Sequence, residues 1–383
     1  EAKKFMESIA NGTIIDKYKE KYEDLIRKAD YLASGFDRLL LDLAIKTDIV
    51  YTKFLANIFN PKYYDALVKN NPSIEYLRNI SYEVASILND LIKEVCSKLG
   101  EDEERTIKLS YILLYALLEP LAYIKGLPPS LADTRMPTHT VMDHLYATAT
   151  AVNMVSREDN GLDGHLVFLD IPGIHDFVSS ARKSGDFWAG SWIISEVTWR
   201  LIEKIIDTFG PDVLISPTLR ANPYFYYKYL KKLLLSNGLK CVYEKVENIT
   251  KSFLSKLVGR DISIEHLVWQ PLIPGTLLLV LPSNVEWTTN KDVIVNKILN
   301  IYQESWNELV EDVVNHLREK SGDVVYEVLY KVLRMNRSLI DIPPVGIRII
   351  VINLKEVYTD LIECLKGNEL ACNCLLYTSP SPR

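Results

Sequence analysis

The sequence predicts an α+β protein: an all-helical amino-terminal part, then a β-α-β-β-α-β part that carries a helical insertion. Three observations point there. Apolar residues recur at steps of three and four through 14–45, 76–99 and 106–124, and no strand pattern precedes Gly164. From Gly164 the period changes, and short apolar runs alternate with helical stretches. The joint between the two regimes, Asn160-Gly161-Leu162-Asp163-Gly164, is polar and contains glycine, which suits a domain boundary.

Taken in order, Asn60-Pro61 and Leu127-Pro128-Pro129-Ser130 punctuate the early helices. Strand 165–170 leads into a long helix, 174–207, with a break expected at Gly185. Strand 212–216, helix 223–236 and strand 276–281 follow. A helical stretch over about 290–336, strand 346–353 and a short helix 354–366 close the pattern. Setting aside 221–274 as an insertion leaves the ferredoxin-like split order. The domains expected are therefore 1–160, 161–366 with the insertion inside it, and a remainder, 367–383. Leu375–Arg383 has neither helix nor strand period and reads as an artefactual tail. Glu1 falls inside helical sequence with no initiator methionine, so a longer parent protein is expected.

Composition narrows the class. A length of 383 residues suits two or three domains, and 48% hydrophobic with 25% charged residues is ordinary for globular protein. A net charge of −6 argues against bulk electrostatic binding of nucleic acid. No uninterrupted apolar run reaches membrane-spanning length: Glu119 breaks 110–124, and 272–282 holds two prolines and a glycine. Cys96, Cys241, Cys364, Cys372 and Cys374 form no disulfide framework, which points to a reducing cytoplasm. Cys364 to Cys374 is a weak zinc pattern.

The most informative stretch is Leu166–Ser191. A short apolar strand ends on Asp170, Pro172-Gly173 turns the chain, and a helix opens beside Ser180, Arg182 and Lys183. Such a strand-turn-helix gathers backbone N–H groups and cationic side chains at one spot, which suits a phosphate.

In residue order this stretch resembles the first palm-like domain of the large subunit of type III CRISPR effector complexes, most closely the III-B (RAMP module) branch. The resemblance is carried by Asp170, Ile171, Gly173, Ile174, Phe177, Ser180, Arg182, Lys183, Trp188 and Ser191. Gly210-Pro211-Asp212-Val213-Leu214-Ile215-Ser216-Pro217-Thr218-Leu219-Arg220-Ala221-Asn222-Pro223 resembles the second palm strand and the loop after it. Ala29-Asp30-Tyr31-Leu32-Ala33-Ser34-Gly35 and Pro137-Thr138-His139-Thr140-Val141-Met142-Asp143-His144 resemble parts of the family's permuted HD domain.

The resemblance implies that the helical part is an HD-like domain missing its His-Asp dipeptide, and that the second part is a degenerate palm. The intact protein would polymerise ATP, with Mg2+, into cyclic oligoadenylates when its complex binds target RNA, and its HD domain would cut single-stranded DNA in antiviral defence. Partners would be the other complex subunits, guide RNA and target RNA, with no membrane. Asp170, Ile171, Gly173, Ile174, Phe177, Ser180, Arg182, Lys183, Ser191 and Arg220 would form one wall of the ATP site, and Asp30 and His144 would hold a divalent transition metal. The family's zinc knuckle lies near Cys372 and Cys374. No second acidic pair stands between 212–216 and 276–281, so catalysis is not assigned to these residues. The alternatives are a non-catalytic scaffold subunit and a free-standing cyclase-like signalling protein.

Each candidate has a plainer reading. Arg182 and Lys183 suit a solvated helix face, and Ser191 suits small-residue packing beside Gly190. Asp143 suits a local cap, His144 a satisfied core histidine, and His139 a turn. His175-Asp176 follows a strand and is read as a decoy. Trp188, Trp192 and Trp199 form a helical stripe that suits core or interface; RNA stacking needs exposed rings beside basic charge.

Overall fold

The computed structural model describes residues 22–34, 54–56, 64–66, 74–100, 102–127, 140–159, 161–335 and 341–366. The early elements are α1 (22–34), β1 (Phe54–Ala56), β2 (Tyr64–Ala66), α2 (Ile74–Leu99), α3 (Glu103–Lys125) and α4 (Val141–Ala151). Then come β3 (His165–Asp170), α5 (Ile174–Ser179), α6 (Ser184–Phe209), β4 (Leu214–Ser216), α7 (Leu230–Ser236) and α8 (Lys240–Val258). β5 (Thr276–Leu281), α9 (Lys291–Met335), β6 (Arg348–Asn353) and α10 (Leu354–Leu365) complete the order. The chain divides into two compact units: Glu1–Val152 with Arg220–Glu265, and Asn153–Leu219 with His266–Arg383.

The helical unit is built on α2 and α3. Val84, Leu88, Leu91, Ile92 and Val95 recur at helical spacing on α2 and are buried, as are Leu109, Ile112, Leu113, Ala116, Leu117 and Leu121 on α3. Asp102 starts α3 by accepting the Arg105 N–H at 3.0 Å, and Gly126, at φ 78°, ends it. By length and apolarity α3 could cross a bilayer, but half of its most apolar window is buried in the protein, as in a core helix. β1 and β2 pair antiparallel, Phe54 opposite Ala66, where the sequence pattern gives no strand.

Most of the insertion, up to Glu265, belongs to this unit and not to the sheet-bearing one. Val242, Val246, Phe253 and Leu254 of α8 are buried, and Phe253 meets Tyr123 of α3 edge-on at 5.6 Å. Lys245 Nζ donates to Glu94 of α2 at 2.6 Å, and Lys256 Nζ to the Tyr123 carbonyl at 3.0 Å. The apolar stripe of α8 is covered by helices far back in the sequence, a pairing that proximity along the chain does not reveal.

In the second unit the four longer-range strands form one antiparallel sheet in the order β4-β5-β3-β6. Phe168 lies opposite Leu278 on one side and Ile350 on the other. Val167, Leu169, Leu277 and Leu279 face inward and are buried, while Phe168, Ile350 and Ile352 remain exposed. Ile194, Leu201, Ile202 and Ile205 of α6 and Ile294, Ile298 and Ile301 of α9 are also buried. Ion pairs join these two helices, Lys204 to Glu308 and Arg200 to Asp312, each at 2.7 Å.

Three local features differ from the sequence pattern. The break in 174–207 falls at Ser180–Lys183, and Gly185 lies inside α6. Ser180 Oγ donates to the Phe177 carbonyl at 2.7 Å, taking one of the last carbonyls of α5 and ending it there. β4 is only three residues long and follows a 3-10 turn, Pro211–Val213. Tyr224–Tyr229 forms a π-helical turn ahead of α7.

Candidate functional site

The end of β3 is the centre of the candidate site. Asp170 closes the strand, opposite Thr276 of β5 and Arg348 of β6, with its carboxylate 3.9 Å from the Arg348 guanidinium. The buried Ile171 donates its N–H to the Gly275 carbonyl at 2.9 Å, which fixes the first residue of the turn. Gly173 sits at φ 76°, a conformation that favours glycine, and caps α5. Gly275 serves differently: a Cβ there would meet the end of the Ile174 side chain, so the turn packs closely over this glycine.

α5 rests on α6 through another small residue. A Cβ at Gly190 would lie 3.6 Å from the Val178 Cα and 3.7 Å from Phe177 Cε1. Ser191 Oγ donates to the carbonyl of Phe187, one turn back, at 3.2 Å. Ser180 is exposed, and its hydroxyl hydrogen likewise points to backbone. Arg182 and Lys183, on the link between α5 and α6, are exposed, and among the described residues neither is ion-paired. One edge of the site therefore offers two exposed cations with no counter-charge among the described residues. His175 and Asp176 stand on the surface of α5, 3.5 Å apart. Neither β4 nor β5 contains an acidic residue, so Asp170 has no carboxylate partner on those strands.

Arg220 does not join this group. It lies in the helical unit, where it donates from Nη2 to Glu119 at 2.5 Å and from Nη1 to Asp143 at 2.6 Å, with the Tyr146 ring 4.6 Å from its Cζ. The chain leaves the sheet after Ser216 and has entered the helical unit by Arg220, so neighbourhood to β4 misplaces this side chain. Burial alone would lower the Arg220 pKa, but the two carboxylates raise it above the ordinary arginine value. Burial pushes Asp143 up, yet hydrogen bonds from Thr140 and Arg220 outweigh it and hold the carboxyl below its usual value. Burial, then Glu119, raises Tyr146, whose hydroxyl donates to the Tyr115 carbonyl at 2.8 Å.

Asp143 is also the third residue of α4 and closes a capping box with Thr140, at 2.8 Å from the Thr140 N–H. The next residue, His144, reaches Asp30 across 114 residues of sequence, Nε2 to Oδ1 at 2.9 Å. The two expected metal ligands are thus side by side, one nitrogen and one carboxylate oxygen. They make half a shell: among the described residues no group of three His, Cys, Asp or Glu side chains is placed to hold a metal. His139, Cys372 and Cys374 lie outside the described residues. The sequence pattern missed Arg348, Gly275 and Glu119, whose roles depend on strand register or on tertiary approach.

Comparison with known proteins bears on both units. Residues 166–311 match the family model described as CRISPR-associated protein Cmr2, N-terminal. A CRISPR system CMR subunit Cmr2 from Saccharolobus solfataricus is 27% identical over 366 residues, covering 91% of this chain and 33% of the relative. The chain is similar to Cmr2 over most of its length. The Cmr2 subunit of Pyrococcus furiosus is 28% identical over 163 residues, covering 43% of this chain and 17% of that protein. A chain of type III-B Cmr-beta, solved by cryo-EM in the apo state, superposes with a TM-score of 0.64 at 25% identity, covering 90% of this chain and 35% of its own. Type III-B Cmr-beta bound to cognate target RNA gives the same TM-score at 28% identity, over 89% of this chain and 36% of that one. The chain spans about a third of the length of the first curated Cmr2 relative, and the likeness supports a segment of a type III-B large subunit.

Proposed function

We propose that the chain is part of the large subunit of a type III-B CRISPR complex and acts in antiviral defence. In this proposal the second unit is a degenerate palm that supplies one wall of an ATP site for cyclic oligoadenylate synthesis. The observation that carries it is the β3 end. A carboxylate-tipped central strand hands over through Gly173 to Ser180, Arg182 and Lys183, all exposed, and neither cation is ion-paired among the described residues. Backbone amides at Ile174 and beyond, a forked guanidinium and a mobile ammonium are the groups that a triphosphate needs. Strand order β4-β5-β3-β6, with every neighbour antiparallel, supports the ferredoxin-like assignment.

The residues fit a wall better than a catalytic centre. Two-metal chemistry requires several carboxylates, and among the four strands only β3 carries one, Asp170, facing Arg348. No chemical step is therefore assigned to these side chains. In the helical unit, Asp30 and His144 would supply two of the ligands of an HD-type centre, whose metal would activate water against a phosphodiester. Other complex subunits, guide RNA and target RNA are the expected partners, since the solved relatives are Cmr-beta structures, one of them bound to target RNA.

The test is ATP binding by the full chain. Replacing Arg182 and Lys183 together by glutamate should weaken binding of a fluorescent ATP analogue by at least about tenfold, the scale of one charge-assisted hydrogen bond. Unchanged affinity removes the ATP wall. A type III-B complex reconstituted with the intact subunit and target RNA should then convert labelled ATP to cyclic product. Absence of product favours the scaffold alternative, which the lone carboxylate already supports.

A further inference from the structure

We propose that a tryptophan ladder on the second unit, Trp188–Trp192–Trp269, is a docking surface for single-stranded nucleic acid. The rings of Trp188 and Trp192 are 6.4 Å apart and inclined by 16°, and Trp269 continues the stack at 5.8 Å and 22°. Trp188 and Trp192 come from successive turns of α6, and Trp269 from the connection ahead of β5. A buried hydrogen bond, from the Ile273 N–H to Ser195 Oγ at 2.8 Å, pins that connection to α6. The ladder is therefore rigid.

Both ends are open. Trp188 is 43% exposed and Trp269 54%, whereas Trp199, on the same helical stripe, is 1% exposed. Two indoles left in water at the ends of a fixed stack are flat π faces ready for a partner. The cations Arg182 and Lys183 lie just before α6, with Trp188 its fifth residue, about a turn and a half along. Exposed parallel rings beside free positive charge make a stacking platform, and any base has a face to offer it. A folded duplex keeps its bases stacked on each other and cannot use such a surface.

The charge is small. Asp186 in the first turn of α6 is an exposed acid, and the whole chain carries −6. Stacking must therefore supply most of the affinity, with two phosphate contacts at most. That sets a number: for a single strand, two neutralised phosphates give a slope of log affinity against log salt of about −1.4. Arg182 and Lys183 are shared with the proposed ATP wall, but Trp269 is not, so the two proposals fail separately.

The experiment measures binding of a fluorescein-labelled mixed-sequence RNA 12-mer, and of its DNA counterpart, to the full chain. Trp269→Ala should weaken binding about tenfold, on the scale of a single base stack, while ATP-analogue affinity and the melting temperature stay unchanged. Arg182→Ala with Lys183→Ala should flatten the salt slope towards zero, and the duplex of the same sequence should compete poorly. Oligonucleotide affinity unmoved by Trp269→Ala overturns the proposal. So does Trp269→Ala that converts a dimer to a monomer in sedimentation without touching oligonucleotide binding, which would assign the ladder to a second copy of the chain.

Discussion

Two regions gather arginine with polar side chains and treat the charge in opposite ways. In the helical unit, Arg220 is clasped between Glu119 and Asp143 under the Tyr146 ring, and every partner is itself held by helix or cap. In the second unit, Arg182 and Lys183 stand on an exposed link without an ion pair among the described residues. A guanidinium enclosed by two carboxylates is committed to architecture, because opening it would strand charges out of water. Unpaired surface cations contribute little to stability and stay available to a ligand. Residue type alone thus misleads, and saturation of the charge separates a strut from a contact.

The sharpest way to break this division uses α6, which runs from the open segment into the core. Trp199→Ala should destabilise the protein by about 3–5 kcal/mol, since it empties a fully buried indole site. Trp188→Ala, eleven residues earlier on the same stripe, should cost about 1 kcal/mol, because nearly half of it is already exposed. Urea denaturation of both variants reads the difference, and equal costs would mean that the exposed end is also structural.

Next comes the clasp itself. Arg220→Met should cost about 2–3 kcal/mol, below the roughly 3–5 kcal/mol of a fully buried pair, because about a quarter of the Arg220 side chain is exposed. Adding Glu119→Gln and Asp143→Asn should recover part of that loss, as the stranded charges are removed. A single-variant cost under about 0.5 kcal/mol would place Arg220 with the surface arginines.

Much of the second unit was legible in the sequence. β3 and β5 are six-residue strands with apolar runs inside them, bounded by a turn or by glycine and proline, and their bounds agree residue for residue. The capping box on α4 could be read from Thr140 and Asp143. What failed was the destination of chain segments. The insertion has ordinary amphipathic helices, and nothing local says which unit covers their stripe. Arg220 stands four residues after β4 yet serves another unit, and Trp269 meets Trp192 across 77 positions. Period and cap chemistry are local, while charge saturation and ladder formation depend on tertiary approach.

A smaller effect separates satisfied from unsatisfied groups at the start of β3. His165 is 2% exposed, and among the described residues neither ring nitrogen has a hydrogen-bond partner. Burial lowers its pKa, Asp163 and Glu356 pull the other way, and Lys291 adds to the lowering. Above its ordinary value of about 6.5 the ring is neutral in both states and adds no pH dependence. As pH falls below that value the unfolded chain takes a proton that the folded site refuses, so stability should drop until the lower folded pKa is reached. Urea midpoints at pH 7.5 and 5.5 measure this, and His165→Leu should reduce the difference between them. A pH dependence identical in the variant would show that His165 is not the group responsible.

The smallest stability effect is the most diagnostic. Arg182→Ala with Lys183→Ala should move the unfolding free energy by less than about 0.5 kcal/mol, since both side chains are exposed and neither pairs with a described residue. Against a loss of about 2–3 kcal/mol at Arg220, that contrast is a direct measurement of saturated against available charge. Removing two cations also makes the net charge more negative, from −6 to −8, which on general repulsion slightly disfavours the compact state. A gain in stability would therefore mean that Arg182 and Lys183 are held in a locally unfavourable field. Uncompensated positive charge that costs the fold something is what a site built to receive phosphate would show, so weaker ligand affinity together with neutral or improved stability sharpens the division. A drop in stability comparable to that at Arg220 would erase it.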